Sequence, residues 1–254
     1  MAKIIAVANQ KGGVGKTTTA VNLASAVADK GRRVLLVDLD PQGNATSGLG
    51  VTVKNGYNLY SVMSGECSTK EAIRRTRFGA LSVLPSSVDL SGSEIELVMQ
   101  EHREEVLKHA LNSVSGEYDY IFIDSPPSLG LLTINALTAA NSVLIPIQCE
   151  YYALEGVGQL MNTLTLVRKK LNPALDVEGV VLTMLDGRTN LGLQVVSEVK
   201  KHFKGKVFST VVPRNVRLSE APSHGVPIQV YDANCTGAAA YSRLGDELIK
   251  RNEG

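Results

Sequence analysis

The sequence predicts an α/β fold: a doubly wound, mostly parallel twisted sheet with helices on both faces. Three observations predict it. Wholly apolar runs recur, such as Val34-Leu35-Leu36-Val37 and Tyr120-Ile121-Phe122-Ile123, as in strands covered on both sides. Segments with helical spacing lie between these runs, so strand and helix alternate and right-handed crossovers follow. A glycine-rich turn, Lys11-Gly12-Gly13-Val14-Gly15-Lys16-Thr17, joins the first apolar run to the first helical pattern. With 254 residues, 44% of them hydrophobic, the chain can bury a large core, and residues 1–254 are read as one domain.

The elements follow in order. Ile4 to Ala8 is the first strand, and residues near 17 to 29 form a helix that Gly31 ends. Val34 to Asp38 is a buried strand, broken by Pro41 and Gly43. Asn58–Met63 and Thr69–Arg75 read as short helices and Leu81–Pro85 as a strand. Residues 92 to 114 carry apolar positions at helical spacing, enough for one or two helices. Tyr120–Asp124 is the next buried strand, stopped by Pro126-Pro127, and Val143–Ile147 another. A long helix is expected from about Ala153 to Leu171, a strand at Val177–Met184 and an amphipathic helix at Leu191–Phe203. A strand at Val207–Val212 and a helix at Ala238–Arg251 complete the chain.

Strand, glycine turn, helix is the setting in which a loop cradles phosphates. Glycines let backbone N–H groups crowd an anion, and the helix N-terminus adds partial positive charge. Lys16 would reach the outer phosphates and the Thr17 hydroxyl would hold Mg²⁺. The loop departs from the G-x-x-x-x-G-K-[ST] spacing: Gln10 stands where the first glycine belongs, and a second lysine, Lys11, precedes Gly12. Two lysines in one short loop repel each other unless an anion lies between them. Asp38, Asp40 and Asp124 end or follow buried strands, where ligands bind in such sheets. One of the pair Asp38 and Asp40 fits turn or capping chemistry. Asp40, nearer the loop, is the candidate for orienting an attacking water. Asp124 after four apolar residues matches the Walker B arrangement, which supports the Mg²⁺ shell.

Bulk properties narrow the class. Net charge is +1, so any grip on nucleic acid comes from a local patch. Residues 160–220 hold ten basic against five acidic residues, whereas 80–128 hold nine acidic against two basic. The acidic stretch reads as a solvated face. The three cysteines, Cys67, Cys149 and Cys235, are far apart and show neither disulfide nor metal-ligand spacing. Met1-Ala2-Lys3 leads straight into a strand without a leader, and no apolar run approaches the ~20 residues of a membrane span. A cytoplasmic protein with no membrane attachment is expected.

Over essentially its full length the chain resembles the ParA/Soj family of partition ATPases, P-loop NTPases of the deviant Walker A type. The resemblance rests on Lys11–Thr18, on Asp38-Leu39-Asp40-Pro41-Gln42-Gly43-Asn44 and on Ile123-Asp124-Ser125-Pro126-Pro127. It extends to Gln148–Gly156, Leu185–Asn190 and Pro213–Pro222. It implies ATP and Mg²⁺ as cofactors and hydrolysis of ATP to ADP and phosphate. Gly12, Gly13, Val14, Gly15, Lys16, Thr17 and Thr18 would hold the phosphates, and Pro213 and Asn215 the adenine. Lys16 would act in its own site. Lys11 would reach the phosphates bound by a second subunit, so that ATP is sandwiched in a homodimer. Asp40 would position the hydrolytic water, and Thr17 with Asp124 would hold Mg²⁺.

The resemblance further implies non-specific binding of double-stranded DNA by the ATP-bound dimer, through Arg188 and Arg217. It implies release when a ParB-type centromere-binding protein stimulates hydrolysis, and hence a nucleoid-associated protein that segregates chromosomes or plasmids. Lys200 and Lys201, on the predicted amphipathic helix, are further candidates for phosphate contacts. No recognition-helix motif or interleaved aromatics point to sequence readout. Two sister classes fit less well. Membrane-positioning ATPases of the MinD type carry an amphipathic C-terminal anchor, whereas this tail ends Lys250-Arg251-Asn252-Glu253-Gly254. The nitrogenase iron protein needs paired interface cysteines. A protein-cargo role within the family stays open.

Overall fold

A computed structural model describes residues 1–53, 56–150, 157–188 and 190–254. Seven strands form one sheet: β1 (Lys3–Val7), β2 (Val34–Asp38), β3 (Arg74–Arg75), β4 (Leu81–Leu84), β5 (Tyr120–Asp124), β6 (Ser142–Gln148) and β7 (Asp176–Thr183). Their order is β3-β4-β2-β5-β1-β6-β7. All neighbours are parallel except the short edge pair β3–β4.

The helices are α1 (Lys16–Asp29), α2 (Asn44–Gly48), α3 (Leu59–Met63), α4 (Thr69–Ala72), α5 (Leu90–Val98) and α6 (Val106–Asn112). They continue with α7 (Leu131–Ala139), α8 (Val157–Lys170), α9 (Asn190–His202), α10 (Arg217–Glu220), α11 (Ile228–Tyr231) and α12 (Thr236–Glu253). The expected start of α8 at 153–156 lies outside the described residues, as do Tyr151–Gly156 and Thr189 of the family-like stretches.

The strands bury both faces by simple alternation. Ile4, Ala6, Leu35, Val37, Ile121 and Ile123 enter one core with α3 and α5 through α9. Ile5, Val7, Val34, Leu36, Tyr120 and Phe122 enter the other with α1 and α12. Side chains along a strand alternate faces, so a five-residue apolar run supplies both cores at once.

Three differences from the sequence reading have physical causes. Helix α7 was not anticipated. Its segment, Leu-Leu-Thr-Ile-Asn-Ala-Leu-Thr-Ala, is buried from Leu132 to Ala139 apart from Ile134, and a helix covered nearly all round carries no polar stripe. Arg74 and Arg75 leave the expected helix to pair antiparallel with Val83 and Ser82. Val207–Val212 is not a regular strand: it touches β7 through an isolated bridge, Val180 to Val207, and a second bridge follows at Leu185 to Pro213. The Phe208 ring packs against Gly179, where a Cβ would lie 2.5 Å from its Cε2, and the segment bonds β7 through the N–H groups of Phe208 (to Val180, 2.9 Å) and Val212 (to Leu182, 2.9 Å).

Candidate nucleotide site

The site forms where the strands end. Val7 of β1 pairs with Asp124 of β5, and Asp124 pairs with Asp38 of β2. By alternation both carboxylates turn to the face that α1 covers, and α1 begins at Lys16 with Thr17 next to it. Gly13 (φ +73°) and Gly15 (φ +84°) adopt left-handed backbone in the loop, which other residues reach only with strain. Asn9 braces the loop's entry: its side-chain amide donates to the Pro146 carbonyl at 2.7 Å and its oxygen accepts from the Lys11 N–H at 3.1 Å. Thr183, at the end of β7, braces the middle by donating to the Val14 carbonyl at 2.8 Å.

Lys16 is buried, and its ammonium donates to the Lys11 carbonyl at 3.2 Å. Burial lowers its pKa, while the charges of Asp124 and Asp40 oppose that fall. Asp124 is completely buried, and neither carboxylate oxygen has a hydrogen-bond partner among the described residues. Burial drives this carboxyl well above the usual range, helped by the charges of Asp38 and Asp40. Lys16 opposes the rise, as does the Thr17 hydroxyl, which stands near without closing a hydrogen bond. Buried polar atoms are ordinarily paired. Two orphaned carboxylate oxygens beside a hydroxyl and a phosphate loop are the donor set of a hard cation such as Mg²⁺, which takes one or two protein oxygens plus substrate phosphates.

Of the pair Asp38 and Asp40, Asp38 takes the turn role foreseen for one of them. Asp38 is fully buried and does turn work: its carboxylate accepts from the Thr46 N–H (2.7 Å), the Thr46 hydroxyl (2.6 Å) and the Asp40 N–H (3.3 Å). Burial nonetheless pushes it up to about 6. Asp40 is 8% exposed and accepts from the Gln42 N–H at 3.0 Å, leaving carboxylate capacity toward the loop.

A cavity of about 340 Å³ continues from the loop between Gly15, Thr18, Met184, Pro213, Asn215 and Tyr241, in the size range of small-ligand sites. Asn215 is anchored there, donating to the Thr236 hydroxyl at 2.8 Å and accepting from the Arg217 N–H at 2.8 Å. Met184 holds a left-handed φ of +53° at the mouth. A larger cavity of about 420 Å³ lies among Arg33, Lys70, Gly79 and Tyr118 at the opposite end of the strands, where Arg33 and Lys70 are already paired with Asp119 and Glu117.

The basic candidates are only partly brought together. The Leu185–Pro213 bridge sets the loops carrying Arg188 and Arg217 side by side. Both arginines are exposed and paired, Arg188 with Asp186 at 2.8 Å and Arg217 with Glu220 at 2.9 Å. Lys200 and Lys201 lie at the far end of α9, about 15 Å of helix from its start beside Arg188. Lys201 pairs with Glu198 at 2.7 Å. The side chain of Lys11 is half-buried and makes no hydrogen bond or ion pair among the described residues. Cys149 is buried, its thiol pushed up to about 11 by burial. No helix among the described residues is long and apolar enough to cross a membrane.

Fold and site together define a nucleoside-triphosphate-binding protein of the P-loop class. A family model described as an AAA domain matches residues 2–177. The sporulation initiation inhibitor protein Soj of Bacillus subtilis is 59% identical over 249 residues, covering 98% of both chains. The chromosome-partitioning ATPase Soj of Treponema pallidum is 50% identical over 252 residues, covering 99% of both. Among solved structures, cobyrinic acid a,c-diamide synthase from Mycobacterium smegmatis with bound ADP and magnesium superposes with a TM-score of 0.88 at 39% identity, over 100% of this chain and 96% of that one. The chain belongs to the ParA/Soj family of partition ATPases.

The sequence reading named Lys16, Thr17 and Asp124, and the structure gathers them. It assigned no role to Asn9, Thr46 or Thr183. Their hydroxyl and amide groups act on partners up to 169 residues away, which local patterns do not reveal.

Proposed function

We propose that this chain is a partition ATPase that hydrolyses ATP to ADP and phosphate with Mg²⁺, and that its ATP-bound homodimer binds double-stranded DNA without sequence preference. The observation that carries the proposal is Asp124, a buried carboxylate whose oxygens have no hydrogen-bond partner among the described residues, near Lys16 and Thr17 at a phosphate loop.

Backbone N–H groups from Gly12 to Thr17 cradle the phosphates, and the start of α1 lends its dipole. Lys16 donates to the outer phosphate oxygens and, in a largely buried site, stabilises charge that develops as the terminal phosphoryl group leaves. Thr17, with Asp124 in support, would hold Mg²⁺, which would neutralise part of that charge. Asp40 accepts a hydrogen bond from the attacking water and fixes its lone pair toward phosphorus. Pro213 and Asn215 border the cavity taken for adenine. Lys11, whose side chain has no partner among the described residues, extends to the phosphates of a second copy, which ties dimerisation to bound ATP.

Dimerisation doubles the patch made by Arg188 and Arg217, so DNA affinity follows nucleotide state. A ParB-type partner stimulates hydrolysis and frees the dimer, giving a cytoplasmic, nucleoid-associated cycle that moves chromosomes or plasmids. The test is DNA binding by the purified chain with ATP, with ADP and with no nucleotide, at two salt concentrations. Binding specific to ATP that falls steeply with salt is expected; equal binding in all three states overturns the reading.

A further inference from the structure

We propose that Thr46 is a positioning residue for hydrolysis, holding Asp40 in place by fastening its loop to two strand ends at once. The inference rests on the ATPase reading above and adds a residue to it.

The loop from Asp38 to Thr46 is closed by one carboxylate. One oxygen of Asp38 accepts from the Asp40 N–H at 3.3 Å, on the outgoing limb. The other accepts from the Thr46 N–H at 2.7 Å and from its hydroxyl at 2.6 Å, on the returning limb. The same hydroxyl oxygen accepts from the Ser86 N–H at 3.0 Å, just beyond β4. Thr46 is 5% exposed and Ser86 4%, so water is a poor substitute for either bond. Within the ring, Gln42 N–H binds the Asp40 carboxylate and Gly43 N–H binds the Asp40 carbonyl at 2.9 Å. The direction of the Asp40 carboxylate is therefore set by a loop clamped at both limbs.

Capping does not explain the hydroxyl. Helix α2 starts after Gly43, which offers no side-chain cap, and the orphaned first-turn N–H of Thr46 is satisfied by Asp38 without help from the hydroxyl. The hydroxyl adds something different: it relays β2, through Asp38, to β4, through Ser86. Thr46→Val keeps the side chain's shape and the N–H bond while removing that relay. Small displacements of a catalytic group lower turnover with little effect on binding.

The experiment measures kcat and KM for ATP hydrolysis with Mg²⁺, and the affinity for a non-hydrolysable ATP analogue, in wild type, Thr46→Val and Thr46→Ser. Thr46→Val is expected to lose about tenfold or more in kcat with analogue affinity within about threefold, and Thr46→Ser to recover kcat to within about threefold. Wild-type kcat in Thr46→Val overturns the inference. So does parallel loss of analogue affinity, or a serine variant as impaired as the valine one. If the valine variant is insoluble, Thr46→Ala replaces it under the same criteria. A wild-type chain that hydrolyses no ATP overturns the ATPase reading itself; normal wild-type turnover with an unaffected Thr46→Val overturns this inference alone.

Discussion

Replacing Asp124 with asparagine sets two demands on one residue against each other. Its carboxylate is buried, has no hydrogen-bond partner among the described residues, and lies in register with Asp38 on the adjacent strand. Neighbouring strands lie about 5 Å apart, and two carboxylates at that distance repel by about 3 kcal/mol at an effective dielectric of about 20. Proton uptake relieves part of this at neutral pH, leaving about 2 kcal/mol for asparagine to recover. For a chain of this size that raises the melting temperature by about 4–8 °C.

With ligand the sign reverses. A ligand at a hundred times its Kd stabilises the folded state by about 2.7 kcal/mol, and asparagine cannot offer the charge that supports Mg²⁺. Thermal unfolding in EDTA and in Mg²⁺–ATP reads both effects: Asp124→Asn melts higher than wild type in EDTA and gains little from Mg²⁺–ATP. The pH dependence follows the same logic. Folded-state values raised above 3.8, to about 6 for Asp38 and in the same direction for Asp124, mean that the folded chain holds protons the unfolded chain has released. Stability of the protein without nucleotide therefore falls as pH rises from about 4 through 6, less steeply in the variant. Melting at or below wild type in EDTA, or a full Mg²⁺–ATP shift in the variant, refutes the reasoning.

Two further outcomes are expected. Asp40→Ala retains nucleotide binding but loses about a hundredfold or more in steady-state hydrolysis, and its DNA-bound form persists in binding assays with ATP; normal turnover removes Asp40 from the mechanism. Asp186→Asn and Glu220→Gln remove the closest carboxylate partners of Arg188 and Arg217, while Asp232 stays 3.6 Å from Arg217. Exposed pairs are weak, so DNA affinity by fluorescence anisotropy rises about two- to fivefold at low salt, and an unchanged or weaker affinity counts against those arginines as phosphate contacts.

How much could be read beforehand depended on how local the cause was. β2 and β5 were placed to the residue, because five consecutive residues buried on both faces leave an unmistakable run. The phosphate loop was equally plain, since its glycines, Lys16 and Thr17 are adjacent in sequence. Helix α7 escaped because burial on nearly every side erases its periodicity. Val207–Val212 misled because its composition suits a strand, whereas it meets β7 only through bonds near its two ends, at Phe208 and Val212, among the described residues. Within the site, Asp40 was named for the water from its nearness to the loop, but what Asp38 does was not legible. It depends on Thr46 folding back onto Asp38, eight residues away.

The row Val7–Asp124–Asp38 has a consequence for how the protein can fail. These residues are placed by the hydrogen-bond ladder of the central strands, and a slip of one position in either pairing sends a carboxylate to the opposite layer. No arrangement with partly shifted strands retains a weakened site. Register is therefore part of the site itself: a chain whose central pairing slips by one residue loses a carboxylate from the pocket outright.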